Sequence, residues 1–359
     1  MKKFIKICGL IFSLITTASA SADLGFIKAV YIDGTGWVSG GDSSANTSAK
    51  LIETPIDKGV WTQFIPNSGK PIYNTAILGF APISGNAIDT NKMKSWLAWP
   101  NNDNVTIGGT METNLRKFIA NGDGNQVLLS FGGGSNAGSW DSGHNPTDPK
   151  EFAKSIVDYI ATTCDSNKQN CLFSGIDLDI ETIFPFGGTD PNTSMTNLVI
   201  FLKAVKDEAI MQGLANFKIS IAPQPYHNPS NNSNEFVLPG NPQVYFDKNS
   251  LSYIDYIFVQ DYNLVWGDAT SNPYSLLCAS GQMANMYSNI TLIDGITPAS
   301  KIVLGKPAIS ATPCYDTPSE FTNDVTSAKL VGLSGIFIWN MSFDANNTST
   351  FMAEVAKFN

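Results

Sequence analysis

The sequence predicts an α/β protein, a single (β/α)₈ TIM barrel with a parallel eight-stranded core. Short apolar runs recur along the 359 residues, and most are followed by Gly, Pro, Asn or Asp and then by a helix-like segment. Such alternation is typical of a parallel sheet with crossover helices, and eight such runs in a chain of this length fit one barrel. A doubly wound open sheet is the alternative, but no G-x-G-x-x-G turn follows the first run.

The eight predicted strands are nearly continuous in Val, Ile, Leu and Phe, as expected when both faces of a strand are covered. In chain order they are Ile27–Ile32, Thr75–Ala81, Gln126–Phe131, Gly175–Glu181, Lys218–Ala222, Tyr256–Gln260, Lys301–Lys306 and Gly335–Trp339. In such barrels the chemistry lies at the carboxyl ends of the strands and in the loops that follow them.

Helices are predicted between several of these strands. Pro149–Cys164 follows Asp148, which suits an N-cap, and Met195–Met211 ends just before Gly213. Weaker helical patterns cover Tyr274–Ile290, Glu320–Leu330 and Thr348–Phe358.

The first 22 residues have the pattern of a secretory signal peptide. Lysines at positions 2, 3 and 6 precede an apolar stretch, and Ala-Ser-Ala cleavage sites follow at 18–20 and 20–22. The apolar stretch is shorter than the about 20 residues that a membrane anchor needs. We therefore expect residues 1–22 to be removed, residues 23–359 to form one barrel domain, and the product to be secreted without a membrane anchor.

The chain is acidic, with a formal net charge of −9. Acidic surfaces repel phosphate backbones, so a nucleic acid is not expected as a partner, whereas a neutral polymer is indifferent to this charge. No nucleotide, metal or prosthetic-group motif stands out, so no cofactor is expected. We expect the protein to be a monomer.

Four cysteines remain after removal of the signal peptide, at positions 164, 171, 278 and 314. An even number in an exported chain suggests two disulfides, and Cys164–Cys171 with Cys278–Cys314 is the most local of three pairings. Four buried free thiols are the alternative. A zinc site is not predicted, because no Cys-x-x-Cys pair occurs and histidine is found only at positions 144 and 227.

Three acidic residues alternate with apolar ones at the end of the fourth predicted strand. Side chains of a strand alternate between faces, so Asp177, Asp179 and Glu181 share one face and point into the barrel. A surface strand with a polar side is the alternative, but acidic side chains are rarely buried without partners. Crowded carboxyl groups cannot all ionise freely, so at least one pKa should rise. Glu181, nearest the mouth, is best placed to donate a proton to a leaving oxygen.

The pattern Gly-x-Asp-x-Asp-x-Glu from Gly175 to Glu181 resembles the signature of family-18 glycoside hydrolases, the chitinases and their relatives. The full family pattern is Asp-x-x-Asp-x-Asp-x-Glu, and Ser174 stands where its first Asp is usual. That Asp lies deeper than the reacting groups. Its replacement therefore bears on barrel stability and pKa tuning more than on catalysis.

Four further segments resemble the family in the order of the strands. Ser130-Phe131-Gly132-Gly133 resembles Ser-x-Gly-Gly on the third strand, where glycines let the backbone turn tightly beside the acidic strand. Ala222-Pro223-Gln224 resembles a segment that lines the groove, and Gln260-Asp261-Tyr262-Asn263 resembles Gln-x-Tyr-Asn. Trp339 ends the eighth strand, where the family has a pocket-floor tryptophan. The resemblance is weakest across Asp33–Tyr73.

The resemblance implies that the substrate's own N-acetyl group is the nucleophile, with retention of configuration. Glu181 is then expected to donate the proton and later to act as the base, Asp179 to orient the acetamido group, and Asp177 to tune Asp179. Tyr262 is expected to hold the acetamido carbonyl oxygen, and Trp339 to form the floor beneath the sugar. Ordinary core packing is the alternative for Tyr262 and Trp339.

Five more residues are candidates for substrate contacts. Trp140 and Trp266, in loops after the third and sixth strands, are expected at the mouth, where aromatic faces suit sugar rings, although loop tryptophans are often merely packed. Gln224, Gln260 and Asn263 are candidates for contacts with sugar hydroxyls.

Chitin or chitooligosaccharides, cut internally at β-1,4 linkages, are the substrate that the resemblance implies. An endo-β-N-acetylglucosaminidase acting on N-glycan cores would have the same acidic strand, and a non-catalytic chitin-binding lectin is the second alternative. Lectin relatives usually lose the Glu or the middle Asp, and both are present here. The short stretch from Lys306 to Gly335 leaves no room for a domain that some members insert after the seventh strand, which predicts an open groove.

Overall fold

The computed structural model describes residues 25–33, 72–98, 110–133, 140, 144–262, 299–308, 316–340, 344 and 350–357, apart from gaps at 123, 182–183, 215, 229–232 and 240. The strands in these residues are β1 (Ile27–Asp33), β2 (Thr75–Gly79), β3 (Ile83–Ser84), β4 (Ala87–Ile88), β5 (Gln126–Gly132), β6 (Gly175–Asp179), β7 (Lys218–Ile221), β8 (Gln224–Asn228), β9 (Ser233–Leu238), β10 (Asn241–Tyr245), β11 (Tyr256–Gln260), β12 (Ile302–Pro307) and β13 (Gly335–Trp339). The α-helices are α1 (Thr90–Leu97), α2 (Met111–Ala120), α3 (Pro149–Thr162), α4 (Pro191–Met211), α5 (Lys248–Ser252), α6 (Pro318–Leu330) and α7 (Thr350–Ala356).

Eight of the strands close into a barrel in the order β1, β2, β5, β6, β7, β11, β12 and β13, and β13 pairs back with β1. All neighbouring pairs in this barrel are parallel. The predicted (β/α)₈ fold is therefore confirmed. Each of the eight predicted strands is present, with ends that differ from the prediction by no more than two residues.

Apolar side chains pack on both sides of the barrel wall. Leu128 of β5 points into the barrel, where it packs with Phe258 and Phe337 from other strands. Phe131 of the same strand points outward and makes an edge contact with Phe152 of α3, 5.6 Å between ring centroids. This division explains why the predicted strands are apolar at nearly every position.

Side-chain caps fix where the helices begin. Asp148 accepts hydrogen bonds from the backbone N–H groups of the first turn of α3, and Asp190 does the same for α4. Thr317 and Glu320 form a reciprocal capping box at the start of α6. Such caps satisfy N–H groups that have no partner within the helix.

The predicted helices agree with the structure where it describes them. Pro149–Cys164 is seen as α3, Met195–Met211 as the longer α4, Glu320–Leu330 as α6 and Thr348–Phe358 as α7. The predicted helix Tyr274–Ile290 and residues 1–22 lie outside the described residues.

A small antiparallel sheet of β8, β9 and β10 follows the fifth barrel strand and was not predicted. Its strands contain Pro225, Asn228, Asn234 and Pro242, residue types that are depleted in strands. The connection from Pro307 to Pro318 is short. The prediction that no domain is inserted after the seventh barrel strand is confirmed.

Cys164 and Cys171 form a disulfide just after α3, as predicted. The other predicted pair, Cys278 and Cys314, lies outside the described residues. Among the helices that the structure describes, none is long and apolar enough to cross a membrane.

Candidate active site

The acidic face of β6 lies inside the barrel, as the alternation of the sequence predicts. Asp177 and Asp179 are buried, and Glu181 is half-buried two residues beyond the end of the strand. Gly175 begins the same face, where a Cβ atom would lie 2.0 Å from the backbone oxygen of Lys218. The glycine therefore lets β7 approach closely beneath the three carboxylates. Asp177, Asp179 and Glu181 are referred to below as the site carboxylates.

Asp177 is held by three hydroxyl groups from three different strands. Its Oδ2 accepts hydrogen bonds from Tyr31 at 2.8 Å and Ser130 at 2.6 Å, and its Oδ1 accepts one from Ser220 at 2.6 Å. Burial raises the pKa of Asp177 above its ordinary value, and these hydroxyl donors limit the rise by stabilising the charged form. Among the described residues, the side chains that fix Asp177 in place are neutral hydroxyl donors.

Asp179 and Glu181 share one amide donor, the side chain of Gln260. Gln260 Nε2 donates to Asp179 Oδ1 at 2.6 Å, and the same side chain also hydrogen-bonds Glu181. Burial, followed by the nearby charges of Glu181 and Asp177, raises the pKa of Asp179 well above its ordinary value. Burial raises the pKa of Glu181 to about 7, and the bond from Gln260 limits that rise. A carboxyl group with this pKa is protonated in a large fraction of molecules at neutral pH.

Aromatic side chains surround the site carboxylates on the barrel axis. Trp339 is partly exposed at the end of β13 and packs on Tyr31 and Phe80, with ring centroids 5.0 Å and 5.7 Å away. Tyr262 is 4% exposed, and burial followed by the charges of Asp179 and Glu181 raises its pKa well above the ordinary value. Its hydroxyl therefore stays protonated and can donate a hydrogen bond.

The two glycines after Ser130 bring the end of β5 against the end of β6. Gly132 has φ +132°, and a Cβ atom there would lie 1.9 Å from the backbone oxygen of Asp179. The N–H of Gly133 donates to that same oxygen at 2.7 Å. The expected close approach beside the acidic strand is present.

Trp140 does not lie at the mouth of the barrel, contrary to the prediction. It is 1% exposed and packs edge-on against Phe152, Phe186 and Phe201 in the layer outside the barrel wall. Its indole N–H donates to Asn145 at 3.0 Å. An aromatic cluster of this size buries the ring more favourably than exposure at a loop tip, so Trp140 offers no face to a sugar.

The other predicted contact residues fall into two groups. Gln260 is 2% exposed and binds site carboxylates, so its amide holds the acidic residues rather than facing an open groove; Gln224 is 5% exposed at the start of β8. Asn263 and Trp266 lie outside the described residues.

Tyr31 and Ser220 are functional candidates that sequence reasoning missed, and Ser130 was noted for its motif but not for its hydroxyl. Tyr31 is 146 positions from Asp177 in sequence and contacts it across the barrel. No local pattern signals such a contact. Over the part of the chain that the structure describes, no group of three His, Cys, Asp or Glu side chains is arranged to hold a metal ion.

Clustered carboxylates at the carboxyl end of a barrel strand can supply the proton donor and the base that a glycoside hydrolase needs. The family model described as glycosyl hydrolases family 18 matches residues 60–313. The chain belongs to this family. A search of curated protein sequences finds no match.

Solved structures with this fold cover nearly the whole chain. Human YKL-39, described as a pseudo-chitinase with retained chitooligosaccharide binding properties, is 12% identical with a TM-score of 0.56, over 93% of this chain and 99% of that one. A class V chitinase from Nicotiana tobaccum is 16% identical with a TM-score of 0.53, over 92% and 98%. A family-18 N-acetylglucosaminidase from Paenibacillus barengoltzii is 11% identical with a TM-score of 0.53, over 93% and 99%. These likenesses support the fold.

Proposed function

We propose that this protein is a secreted chitinase that hydrolyses β-1,4 linkages between N-acetylglucosamine units, cutting within the chain and with retention of configuration. The observation that carries the proposal is the row of site carboxylates ending in Glu181, whose pKa of about 7 suits a proton donor. Two neighbouring structures support the substrate class. A mutant of the class V chitinase from Nicotiana tobaccum was solved in complex with NAG4, and YKL-39 was solved in the presence of chitooligosaccharides (GlcNAc4).

Glu181 supplies the proton in this mechanism. In its protonated form it donates to the glycosidic oxygen as that bond breaks, and the resulting carboxylate later takes a proton from water. The acid must be protonated at the start, so the rate is expected to fall as the pH rises through about 7.

The nucleophile is the acetamido oxygen of the sugar itself, which attacks the anomeric carbon to give an oxazolinium ion. Water then attacks the same carbon and loses a proton to Glu181, and the bond to the acetamido oxygen breaks, which restores the acetamido group. Tyr262 donates a hydrogen bond that holds this oxygen, and Asp179 faces the acetamido N–H and the developing positive charge. Asp177, fixed by its three hydroxyl donors, keeps negative charge behind Asp179. Preorganised groups of this kind require little reorganisation during the reaction.

Trp339 forms the floor under the reacting sugar. Its ring is partly exposed, and the rings of Tyr31 and Phe80 pack against it. A flat apolar surface suits the apolar face of a sugar ring.

Two other functions are supported by particular neighbours. The N-acetylglucosaminidase from Paenibacillus barengoltzii favours an N-acetylglucosaminidase. An endo-acting enzyme of this kind that cuts N-glycan cores is the form of this alternative that the acidic strand also allows. YKL-39, a pseudo-chitinase, favours a lectin. The presence of both Asp179 and Glu181 argues for catalysis over the lectin.

The deciding experiment is release of reducing ends from chitin hexamer by the wild type and by Glu181→Gln, which keeps the shape but has no acidic proton. We expect a loss in kcat of about 10²–10⁴-fold. Glu112→Gln, on the exposed side of α2 where Glu112 pairs with Arg116, is the matched control and should match the wild type. Binding without cleavage by the wild type would favour the lectin. If the hexamer is neither bound nor cut, a high-mannose glycoprotein is the next substrate.

A further inference from the structure

A second group of buried charges lies outside the barrel wall, beneath α6. The Nζ of Lys306 lies 2.8 Å from Asp261 Oδ2 and 3.1 Å from both Asp316 Oδ2 and Asp324 Oδ2. Each of these residues is at most 1% exposed. Lys306 belongs to β12, Asp324 to the buried face of α6, and Asp316 directly precedes the cap of that helix. These four residues are named the lysine cluster.

Asp261 connects the lysine cluster to the site carboxylates through the backbone. It stands between Gln260, which binds Asp179, and Tyr262, whose ring packs on Phe337 inside the barrel. Alternate residues of an extended segment point to opposite sides. Asp261 therefore meets Lys306 outside the wall while both of its neighbours face the site. A movement of the Asp261 backbone would be passed on to the Tyr262 hydroxyl.

The lysine cluster is an unfavourable way to hold β12 against α6 if packing is its only role. Three carboxylates face one ammonium group, and taking each of them out of water is unfavourable. Apolar side chains of similar volume often stabilise a fold as well or better. A buried ion pair nevertheless holds its partners together strongly, because separating them leaves an uncompensated charge in the interior. Such a contact suits a segment whose position must be exact.

We propose that Asp261 and Lys306 are positioning residues, which act on the reaction by fixing Tyr262 against the site carboxylates. The proposal rests on the proposed function, because it gives Tyr262 the task of holding the acetamido oxygen. Misplacement of a reacting group by about 1 Å can cost about 100-fold in rate. Loosening Asp261 is therefore expected to lower kcat by about 10-fold or more, with a smaller change in KM.

A double-mutant cycle tests whether Asp261 acts through Tyr262. Asp261→Asn keeps the shape of the side chain and removes its charge, and it is made in the wild type and in Tyr262→Phe. On chitin hexamer, we expect kcat to fall about 10-fold in the first background and about 2-fold or less in the second, because coupled residues are not additive. Circular dichroism confirms that each protein is folded. Equal factors in the two backgrounds would overturn the proposal.

Asp316→Asn is the matched control within the lysine cluster. Asp316 contacts the same ammonium group, but in the chain it adjoins Thr317, the N-cap of α6, whereas Asp261 adjoins Tyr262. It should leave kcat within about 2-fold of the wild type. A loss as large as that of Asp261→Asn would mean that the lysine cluster supports the fold as a whole, and the positioning role would fail. If Asp261→Asn does not fold, Asp261→Glu keeps the charge, displaces the segment by one methylene and enters the same cycle.

A double-mutant cycle that measures binding instead of turnover distinguishes a failure of the proposed function from a failure of the positioning role. If the wild type does not cut chitin hexamer, hexamer affinity is measured in the Glu181→Gln protein with the same substitutions. An affinity loss on Asp261→Asn that disappears in the Tyr262→Phe background supports positioning without turnover. Absence of binding in every form would overturn both proposals.

Discussion

The protein contains two groups of three carboxylates, one inside the barrel and one outside its wall, and it stabilises them in opposite ways. Neutral donors bind the site carboxylates: three hydroxyls hold Asp177, and the amide of Gln260 binds Asp179 and Glu181. In the lysine cluster the carboxylates surround a cation. One group ends in the half-buried Glu181, and the other is buried beneath α6.

The two groups differ less in their pKa values than in their access to a ligand. Neutral donors hold a carboxylate in position without cancelling its charge, so burial and mutual repulsion keep its pKa high. Lys306 lowers the pKa of Asp261 and of Asp316, although burial still leaves the first at about 6 and the second at about 7. Access to the mouth of the barrel therefore distinguishes the two groups more sharply than their pKa values do.

Removal of the cation should have the largest effect. Lys306→Met leaves three buried carboxylates without a counterion, and we expect a loss of about 3–5 kcal/mol in the free energy of unfolding at pH 8. The folded-state pKa values of Asp261 and Asp316 lie above their unfolded values, and they rise further without the lysine. Protonation of these carboxylates therefore stabilises the folded variant, and the loss in its free energy of unfolding should become smaller as the pH falls to 5.

Urea unfolding at both pH values measures this deficit. Lys203→Met, which breaks an exposed pair with Asp207 on α4, is the control and should cost less than about 1 kcal/mol. A deficit that is equal at pH 5 and pH 8 would contradict the electrostatic explanation.

Removal of the neutral donor should have a smaller effect, confined to the site. Gln260→Leu takes away a bond that lowers the pKa of Glu181, so this pKa should rise above about 7 and the alkaline limb of the kcat–pH profile should move to higher pH. Loss of a hydrogen bond to a charged group, worth about 1.5–3 kcal/mol, should also lower the maximal kcat about 10-fold. Gln126→Leu is the control, because Gln126 is a buried amide that binds Thr75 at the other end of the barrel. A limb that stays in place or moves to lower pH would argue against the role of Gln260.

The smallest effect is expected where the sequence departs from the family pattern. Ser174 precedes β6 on the face opposite to Asp177, so its side chain is not directed at the site carboxylates. Ser174→Asp should change kcat/KM by less than about 2-fold. Ser220→Ala removes a direct donor to Asp177 and should cost more, about 10-fold. The reverse order of these two effects would show that position 174 tunes the site after all.

The sequence predicted well those features that depend on local pattern. The eight barrel strands are apolar runs, and the shared face of the site carboxylates follows from alternation along β6 alone. The sequence did not predict features that depend on contacts between residues far apart in the chain. Tyr31 reaches Asp177 from the other side of the barrel, and the lysine cluster joins residues from three separate segments. Burial of a loop residue such as Trp140 also has no local signal.

The hydrogen bond from Tyr31 to Asp177 joins a residue that is synthesised early to the carboxylates of the site. Tyr31 is among the earliest described residues to leave the ribosome, and β13, which seals β1 into the barrel, is among the last. Until β13 pairs with β1, the strand that carries Tyr31 is held by β2 alone, and we expect the hydrogen bond to Asp177 to become fixed only when the barrel closes. The rate of turnover that returns during refolding should therefore be proportional to the fraction of molecules whose barrel has closed. A circular permutant in which β1 still pairs with β13 should also regain turnover.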